Sequence, residues 1–313
     1  MVMINPFTIF SNICDILFGK RVSGAIRTLR DTLASAKQDK KNIDLTILLL
    51  SDLEKDILDA VHTKGYYILQ DFLDKDTCAQ LIDEVKDVFH EHEKYLYYAD
   101  DIRLNGIDTV SNKISQLTKQ DIFSNIAQAY CPQHFSWVMA NILQFKHGKK
   151  SCSGGGLHRD GGFRELKFMI YLSDVNEKNG CFELLEKSHR PWYKFLDTLR
   201  FNLPYNNSRY ENEYSNISQA LKHRFKKIIG KAGTMIIFDT SLMHTGAEIL
   251  EGERFALTFY FARRGFISIA AIDEFIDKNA AGSKGLVINK ELLKQRLVQQ
   301  LKDNTVIMGI DNI

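Results

Sequence analysis

Hydrophobic residues in the first third of the chain recur at intervals of three and four, the spacing of an amphipathic helix. This pattern predicts one helix over residues 45–61, ended by Gly65. A second helix is predicted to begin after Asp74, a good N-cap residue, and to continue to Phe89. Between the two helices, Tyr66–Leu69 is predicted to form a short strand.

From residue 136 to residue 263 the pattern changes to short β-rich runs separated by glycines and polar turns. The runs are WVMANILQF, LKFMIYLSDV, TMIIFD and FALTFYFA. They do not alternate with regular helices, which disfavours a doubly wound parallel sheet and favours two packed antiparallel sheets. We therefore predict an α+β protein with a mainly β core, a double-stranded β-helix or jelly roll, flanked by N-terminal and C-terminal helices. The C-terminal helices are predicted over 273–303, whereas the polar stretch 99–116 is interpreted as a loop and 118–129 as a helix.

The composition is that of an ordinary globular protein of 313 residues, with 41 Lys plus Arg against 39 Asp plus Glu. A charge so close to neutral gives no reason to expect nucleic acid as a partner. No apolar run approaches the ~18 residues that a membrane span requires. The five cysteines form no CxxC pair, which argues against a zinc ribbon or a disulfide framework and favours a cytoplasmic location.

Residues 1–42 are predicted to form a helical extension, and residues 43–313 the main domain with its β core at 136–263. The extension begins apolar and then carries basic residues at helical intervals, with seven positive and three negative side chains in total. We interpret it as a helix packed on the domain, because its apolar part contains Asp15 and several amides. A peripheral membrane or partner contact through this segment is the alternative.

The residues with the clearest chemical meaning are His158, Asp160 and His244. On a strand, residues two apart point to the same face, so His158 and Asp160 can reach one ion. His244 follows the β run TMIIFDTSLM and supplies the third ligand type. Two imidazoles and one carboxylate are typical of the facial triad of non-haem Fe(II) oxygenases. A zinc hydrolase can use the same residue types, so the triad alone leaves both open.

Arg254 lies ten residues after His244, beyond a turn at Glu251-Gly252. We predict that it begins the strand that returns beside the strand of His244. A guanidinium can bind a carboxylate with two parallel hydrogen bonds, which suits the distal carboxylate of a 2-oxoacid that chelates iron. Thr258 is predicted on the same strand face and can add a hydroxyl group.

The chain resembles the phytanoyl-CoA dioxygenase-like family of Fe(II)/2-oxoglutarate-dependent oxygenases. The similar segments are GYYILQDFLDKDTCAQLIDEV (65–85), LHRD (157–160), IYLSDVNEKNGCFELLEKSHR (170–190) and MHTGAEILEGERFALTFYF (243–261). The resemblance implies that His158, Asp160 and His244 are both the catalytic and the iron-binding residues, and that Arg254 binds 2-oxoglutarate. Met169 falls where some relatives have an aromatic residue that contacts the cosubstrate.

The resemblance also implies Fe(II) and 2-oxoglutarate as cofactors and O2 with a small organic molecule as substrates. Hydroxylation, with release of succinate and CO2, is the expected reaction. The polar and aromatic segment between Trp192 and Lys231 is either a lid or a surface cover, and its composition suits a small polar substrate. A non-catalytic binding protein on the same fold and a metal-dependent hydrolase or isomerase are the alternatives.

Overall fold

The structure is a computed structural model of the chain. It describes residues 19–33, 49–92, 101–132, 134–147, 152, 154, 156–161, 164–205, 207–263, 268–281 and 285–306. Residues 1–18 and 34–48, which include much of the predicted N-terminal extension and the start of the first predicted helix, lie outside the described residues.

The helical part of the chain begins with α1 (19–33), followed by α2 (Asp52–Thr63) and α3 (Lys75–Glu91). Ser51 caps α2 with a capping box. Its hydroxyl accepts a hydrogen bond from the backbone N–H of Glu54, and the Glu54 carboxylate accepts one from the backbone N–H of Ser51. The predicted cap at Asp74 is confirmed, because its side chain accepts a hydrogen bond from the backbone N–H of Thr77. The remaining helices are α4 (Asn112–Leu117), α5 (Asp121–Tyr130), α6 (Pro191–Phe201), α7 (Tyr214–Ala220), α8 (Ile272–Ala281) and α9 (Lys290–Val306).

The β core consists of two sheets, as predicted. In the described residues the larger sheet has seven strands in the order β1-β7-β4-β9-β3-β2-β10, and the smaller has three in the order β6-β5-β8. All pairings between these strands are antiparallel except that of β10 with β2. The strands are β1 (Tyr66–Leu69), β2 (Asp101–Asn105), β3 (His134–Gln144), β4 (Leu166–Tyr171), β5 (Phe182–Leu185), β6 (Phe225–Ile228), β7 (Met235–Asp239), β8 (His244–Gly246), β9 (Glu253–Arg263) and β10 (Gly285–Val287).

The prediction of a loop over 99–116 is wrong for most of its length. Asp101–Asn105 forms β2 between β3 and β10, and a helix begins at Asn112. Two charged residues make the run DIRLN look exposed, but its polar side chains pair within the fold: Arg103 Nη2 lies 2.7 Å from Asp101 Oδ2. Similarly, β10 interrupts the predicted C-terminal helices between α8 and α9.

The main hydrophobic core lies between the helices and the outer face of the larger sheet. Phe123 of α5 stacks on Phe259 at 4.5 Å between ring centroids and meets Phe168 edge-on at 5.0 Å. Both partners belong to the central strands β9 and β4. This side of the sheet is therefore closed by helices, and the opposite face is left to form the interior between the two sheets.

The described part of the N-terminal extension, α1, packs on the domain. Arg21 donates to the backbone carbonyls of Leu199 and Arg200 at 2.5 and 2.9 Å. The hydroxyl group of Tyr205 donates a hydrogen bond to the Asp31 carboxylate. These contacts agree with the interpretation of a packed helix, while the boundary at residue 42 stays a prediction.

Candidate active site

A cavity of about 290 Å³ lies between the two sheets. Five large-sheet strands contribute residues to its lining, namely β2, β3, β4, β7 and β9, and the small sheet contributes residues of β5 and β8. The lining includes every residue that the sequence singled out for a site: Met169, His158, Asp160, His244, Arg254 and Thr258.

His158, Asp160 and His244 form a compact cluster in this cavity, with one ligand atom of each within 4.8 Å of the others. The Nε2 atoms of His158 and His244 lie 3.4 and 3.5 Å from the two carboxylate oxygens of Asp160. The Nδ1 atom of His158 lies 2.7 Å from the backbone carbonyl oxygen of Gly156, and that of His244 lies 2.9 Å from the carbonyl oxygen of Leu242. These acceptors assign the ring proton to Nδ1 and leave both Nε2 lone pairs directed at the cluster.

The His-x-Asp segment does not lie on a regular strand, which corrects the sequence-based prediction. His158 makes a single β-bridge with His244, with backbone N···O distances of 2.9 and 2.8 Å, and Asp160 follows in a bend. The approach to His158 requires glycine at position 154, where φ is +89°. A Cβ atom there would lie 2.8 Å from Cε1 of the His158 ring.

Lys167 of β4 is the residue next to the triad that the sequence analysis missed. Its ammonium lies 2.7 Å from Asp160 Oδ2 and 4.3 Å from the centroid of the Tyr260 ring. Burial by itself would raise the pKa of Asp160, but Lys167 and the nearby histidines hold it well below its ordinary value. The carboxylate is therefore ionised at neutral pH, as a metal ligand must be.

His244 is also in the ligand state at neutral pH. Burial, with a further contribution from His158, lowers the pKa of His244 to about 3. Its imidazole is therefore neutral, and the Nε2 lone pair is available to a metal ion.

Arg254 reaches the cavity from the other sheet, and the prediction that its strand pairs with the strand of His244 is wrong. β9 lies between β3 and β4 in the large sheet, whereas β8 pairs with β5 in the small one. The turn at 251–252 thus connects two sheets instead of closing a hairpin, so Arg254 faces His244 across the interior. Burial lowers the pKa of Arg254, but a guanidinium keeps its charge in proteins.

A polar relay that the sequence analysis also missed fixes the orientation of Arg254. Arg254 Nη2 donates to Asn141 Oδ1 at 2.6 Å, and the Asn141 amide donates to Asp101 Oδ1 at 2.7 Å. Arg254 Nη1 donates to the carbonyl of Gly180, and Nε is buried with no protein partner among the described residues. The only available signal for Asn141 was a single amide within the apolar run WVMANILQF.

Thr258 and Met169 lie directly opposite each other on β9 and β4. Thr258 shares the inward face of β9 with Arg254, as predicted, because residues four apart on a strand point the same way. Both side chains are buried and line the cavity with Arg254. A hydroxyl and a thioether thus line the same cavity as the guanidinium.

A comparison with protein families matches residues 61–252 to the model for phytanoyl-CoA dioxygenase (PhyH). This match covers more than half of the chain. The chain belongs to the phytanoyl-CoA dioxygenase family. The predicted class, a non-haem iron oxygenase dependent on 2-oxoglutarate, is thereby confirmed.

Solved structures share the fold of this family member. HygX from Streptomyces hygroscopicus, with nickel and 2-oxoglutarate bound, is 14% identical over 68% of this chain and 87% of its own, with a TM-score of 0.50. EctD from S. alaskensis, with bound Fe, is 16% identical over 69% and 78%, with a TM-score of 0.51. At these identities the likeness confirms the predicted jelly roll and nothing finer. No curated protein matches the sequence.

The residues of this family member fit the metal that its class requires. Two imidazoles and one carboxylate are the donor set of the Fe(II) facial triad, and the backbone carbonyls behind both rings hold them in the ligating tautomer. None of the helices in the described ranges is both long and apolar enough to cross a membrane.

Proposed function

We propose that His158, Asp160 and His244 hold Fe(II), and that Arg254 binds the distal carboxylate of 2-oxoglutarate in the same cavity. The observation that supports this assignment is that one cavity contains both the convergent triad and a buried arginine. When bound, the iron supplies the O2 activation that couples conversion of 2-oxoglutarate into succinate and CO2 to oxidation of a substrate C–H bond.

The residues around the metal would perform four separate tasks. The carbonyls of Gly156 and Leu242 orient the two imidazoles. Arg254 has five N–H donors, of which two are used by Gly180 and Asn141, so three remain for a carboxylate. We assign Thr258 a hydrogen bond to the cosubstrate and Met169 the apolar wall beside it.

We propose that the substrate is a small polar molecule that carries a carboxylate or phosphate group. Five cationic side chains and one carboxylate, Asp160, line the cavity: Arg103, Lys167, Arg209, Arg254 and Lys278. Three of these cations are paired with carboxylates, Arg103 with Asp101, Lys278 with Glu274 and Lys167 with Asp160. Fe(II) and 2-oxoglutarate carry opposite charges of equal size, so the loaded site keeps this lining rich in cationic side chains, which favours an anionic substrate.

The metal assignment is tested by anaerobic Fe(II) titration with and without 2-oxoglutarate. The wild type should develop the visible charge-transfer band of the chelate only when both are present. His158→Ala, Asp160→Ala and His244→Ala should each lose iron-dependent activity, because two remaining ligands hold the ion weakly. His223→Ala, at an exposed position, is the matched control. Full Fe(II) affinity in any of the three variants would remove that residue from the triad.

The substrate proposal is tested by succinate formation in the presence of small hydroxy acids, amino acids and sugar phosphates. Each acid is paired with its neutral amide, ester or dephosphorylated form. We expect acids to stimulate turnover more than their neutral partners. Equal stimulation by the neutral forms would contradict the charge argument.

We also propose that the protein works in the cytoplasm. Cys78 and Cys181 are free thiols, and both are buried. Such thiols are typical of a reducing compartment.

A further inference from the structure

A second cavity, of about 260 Å³, lies behind the His-x-Asp segment and beneath α1. Arg159, the residue between His158 and Asp160, points to this side of the segment. The cavity is lined by α1, by α6 and by the segment that follows α6, with Thr28, Asp31, Thr32, Arg159, Gly161, Lys194, Thr198, Pro204, Tyr205, Asn207, Ser208 and Tyr210.

Two cationic side chains in this lining are almost fully buried. Arg159 is 7% exposed and Lys194 is 2% exposed. Arg159 Nη1 donates to the carbonyls of Ser188, at 2.7 Å, and Ser241. Arg159 Nη2 is buried and has no hydrogen-bond partner among the described residues. An unsatisfied charged donor in the interior is costly, so this atom indicates a missing acceptor.

Two carboxylates in this region, Asp31 and Asp239, already accept hydrogen bonds from other groups. Asp31 accepts a hydrogen bond at 2.8 Å from Arg30 on one oxygen and one from Tyr205 on the other. Asp239 accepts from Tyr130 and from the backbone N–H of Ser241. Burial, with a further contribution from the charge of Arg159, lowers the pKa of Lys194 to about 7.

We propose that this cavity is a binding site for a small oxyanion, a phosphate or carboxylate group, separate from the iron site. The anion would accept a hydrogen bond from Arg159 Nη2 and offset the charge of Lys194. Ser208 and Tyr210 line the same cavity, and their hydroxyl groups would be further donors.

The site would connect the N-terminal extension to the iron centre. Thr28 and Thr32 of α1 form one wall of the cavity. Arg159, on another wall, is the sequence neighbour of two proposed iron ligands, His158 and Asp160. A bound anion therefore holds α1 in place and fixes the backbone that carries His158 and Asp160.

The test is isothermal titration of the full-length, metal-free protein with inorganic phosphate and, separately, with acetate, each against chloride at equal ionic strength. We expect saturable binding of at least one oxyanion and none of chloride. Whichever of phosphate and acetate binds more tightly shows whether the site prefers a phosphate or a carboxylate group. If neither oxyanion binds better than chloride, the proposal is overturned.

Two variants locate the binding. Lys194→Met replaces the buried ammonium with an apolar chain of similar length and should weaken binding at least tenfold. Arg159→Met should weaken binding similarly. Lys222→Met, which removes the same charge from an exposed position, is the matched control and should bind as the wild type does. Unchanged binding in Lys194→Met would place the anion elsewhere and overturn the site.

The outcome is independent of the proposed function. The anion titration uses metal-free protein. Its result therefore does not depend on whether the charge-transfer band appears in the iron titration. Conversely, failure of oxyanion binding leaves the assignment of the triad and Arg254 as it stands.

Discussion

At the scale of single residues, Arg254 provides the sharpest test of the cosubstrate site. A buried hydrogen bond to a charged group contributes about 1.5–3 kcal/mol, so Arg254→Met should weaken 2-oxoglutarate binding by roughly tenfold to a hundredfold. Arg254→Lys keeps the charge but loses the two-pronged geometry, so its deficit should be smaller. The affinities of both variants for 2-oxoglutarate are measured by titrating it into their Fe(II) forms.

Iron affinity is the control for Arg254, since the guanidinium is not a proposed ligand. Retained Fe(II) binding in Arg254→Met would show that the variant folds, although the carbonyl of Gly180 and the amide oxygen of Asn141 lose their donor. An unchanged affinity for 2-oxoglutarate would refute the role of Arg254.

A second residue-scale prediction concerns His62, whose ring packs on Tyr130 at 4.8 Å. Burial, followed by the charge of Arg164, lowers the pKa of His62 to about 4 in the folded protein. Between pH 6.5 and pH 4 the unfolded chain therefore binds a proton that the folded chain does not. Stability should fall as the pH decreases through this window, by up to about 3 kcal/mol.

The measurement for His62 is urea unfolding at pH 7.5 and pH 5 with a chelator present. His62→Phe keeps an aromatic ring against Tyr130 but cannot be protonated. The variant should lose less stability on acidification than the wild type. An equal loss in both would mean that His62 does not contribute to the pH dependence.

At the scale of secondary-structure elements, Phe123 attaches α5 to the large sheet. It is 1% exposed and contacts the rings of Phe168 and Phe259. Phe123→Ala should therefore reduce the free energy of unfolding by about 3–5 kcal/mol, through lost burial and the cavity that remains. Chemical denaturation measures the change. Gln128→Ala, on the exposed side of the same helix, should change it little, and equal effects would contradict this packing.

Elements were predictable where the pattern was local. Helix α3 with its cap at Asp74 and the strands β1, β4, β7 and β9 all follow from periodicity and capping, which depend on neighbours in sequence. β2 was missed because Asp101 becomes buried, and Arg103 half-buried, only by pairing with each other and with distant strands. Strand formation depends on such tertiary neighbours more than on intrinsic preference.

At the scale of the whole molecule, the predicted boundary at residue 42 can be tested by deletion. Removing residues 1–42 should leave 2-oxoglutarate turnover measurable, because the triad, Arg254 and both sheets lie beyond it. The melting temperature should fall, since the contacts of Arg21 and Asp31 with the segment around residues 199–205 are lost.

Turnover and thermal unfolding of the truncated and full-length chains are compared side by side. The truncated chain should also lose the proposed oxyanion binding, because α1 forms one wall of that cavity. If the truncated chain does not fold, the extension is part of the core and the boundary is wrong.

The fold class and the identities of the proposed ligands were accessible from sequence, since strand periodicity, the His158-x-Asp160 spacing and the later His244 and Arg254 are linear patterns. Their convergence required the tertiary structure. Only there does Arg254 belong to the sheet opposite His244, because a turn can either close a hairpin or connect two sheets. The contact between Lys167 and Asp160 and the relay through Asn141 were equally inaccessible. Each joins residues from different strands or loops, and only the three-dimensional packing brings them together.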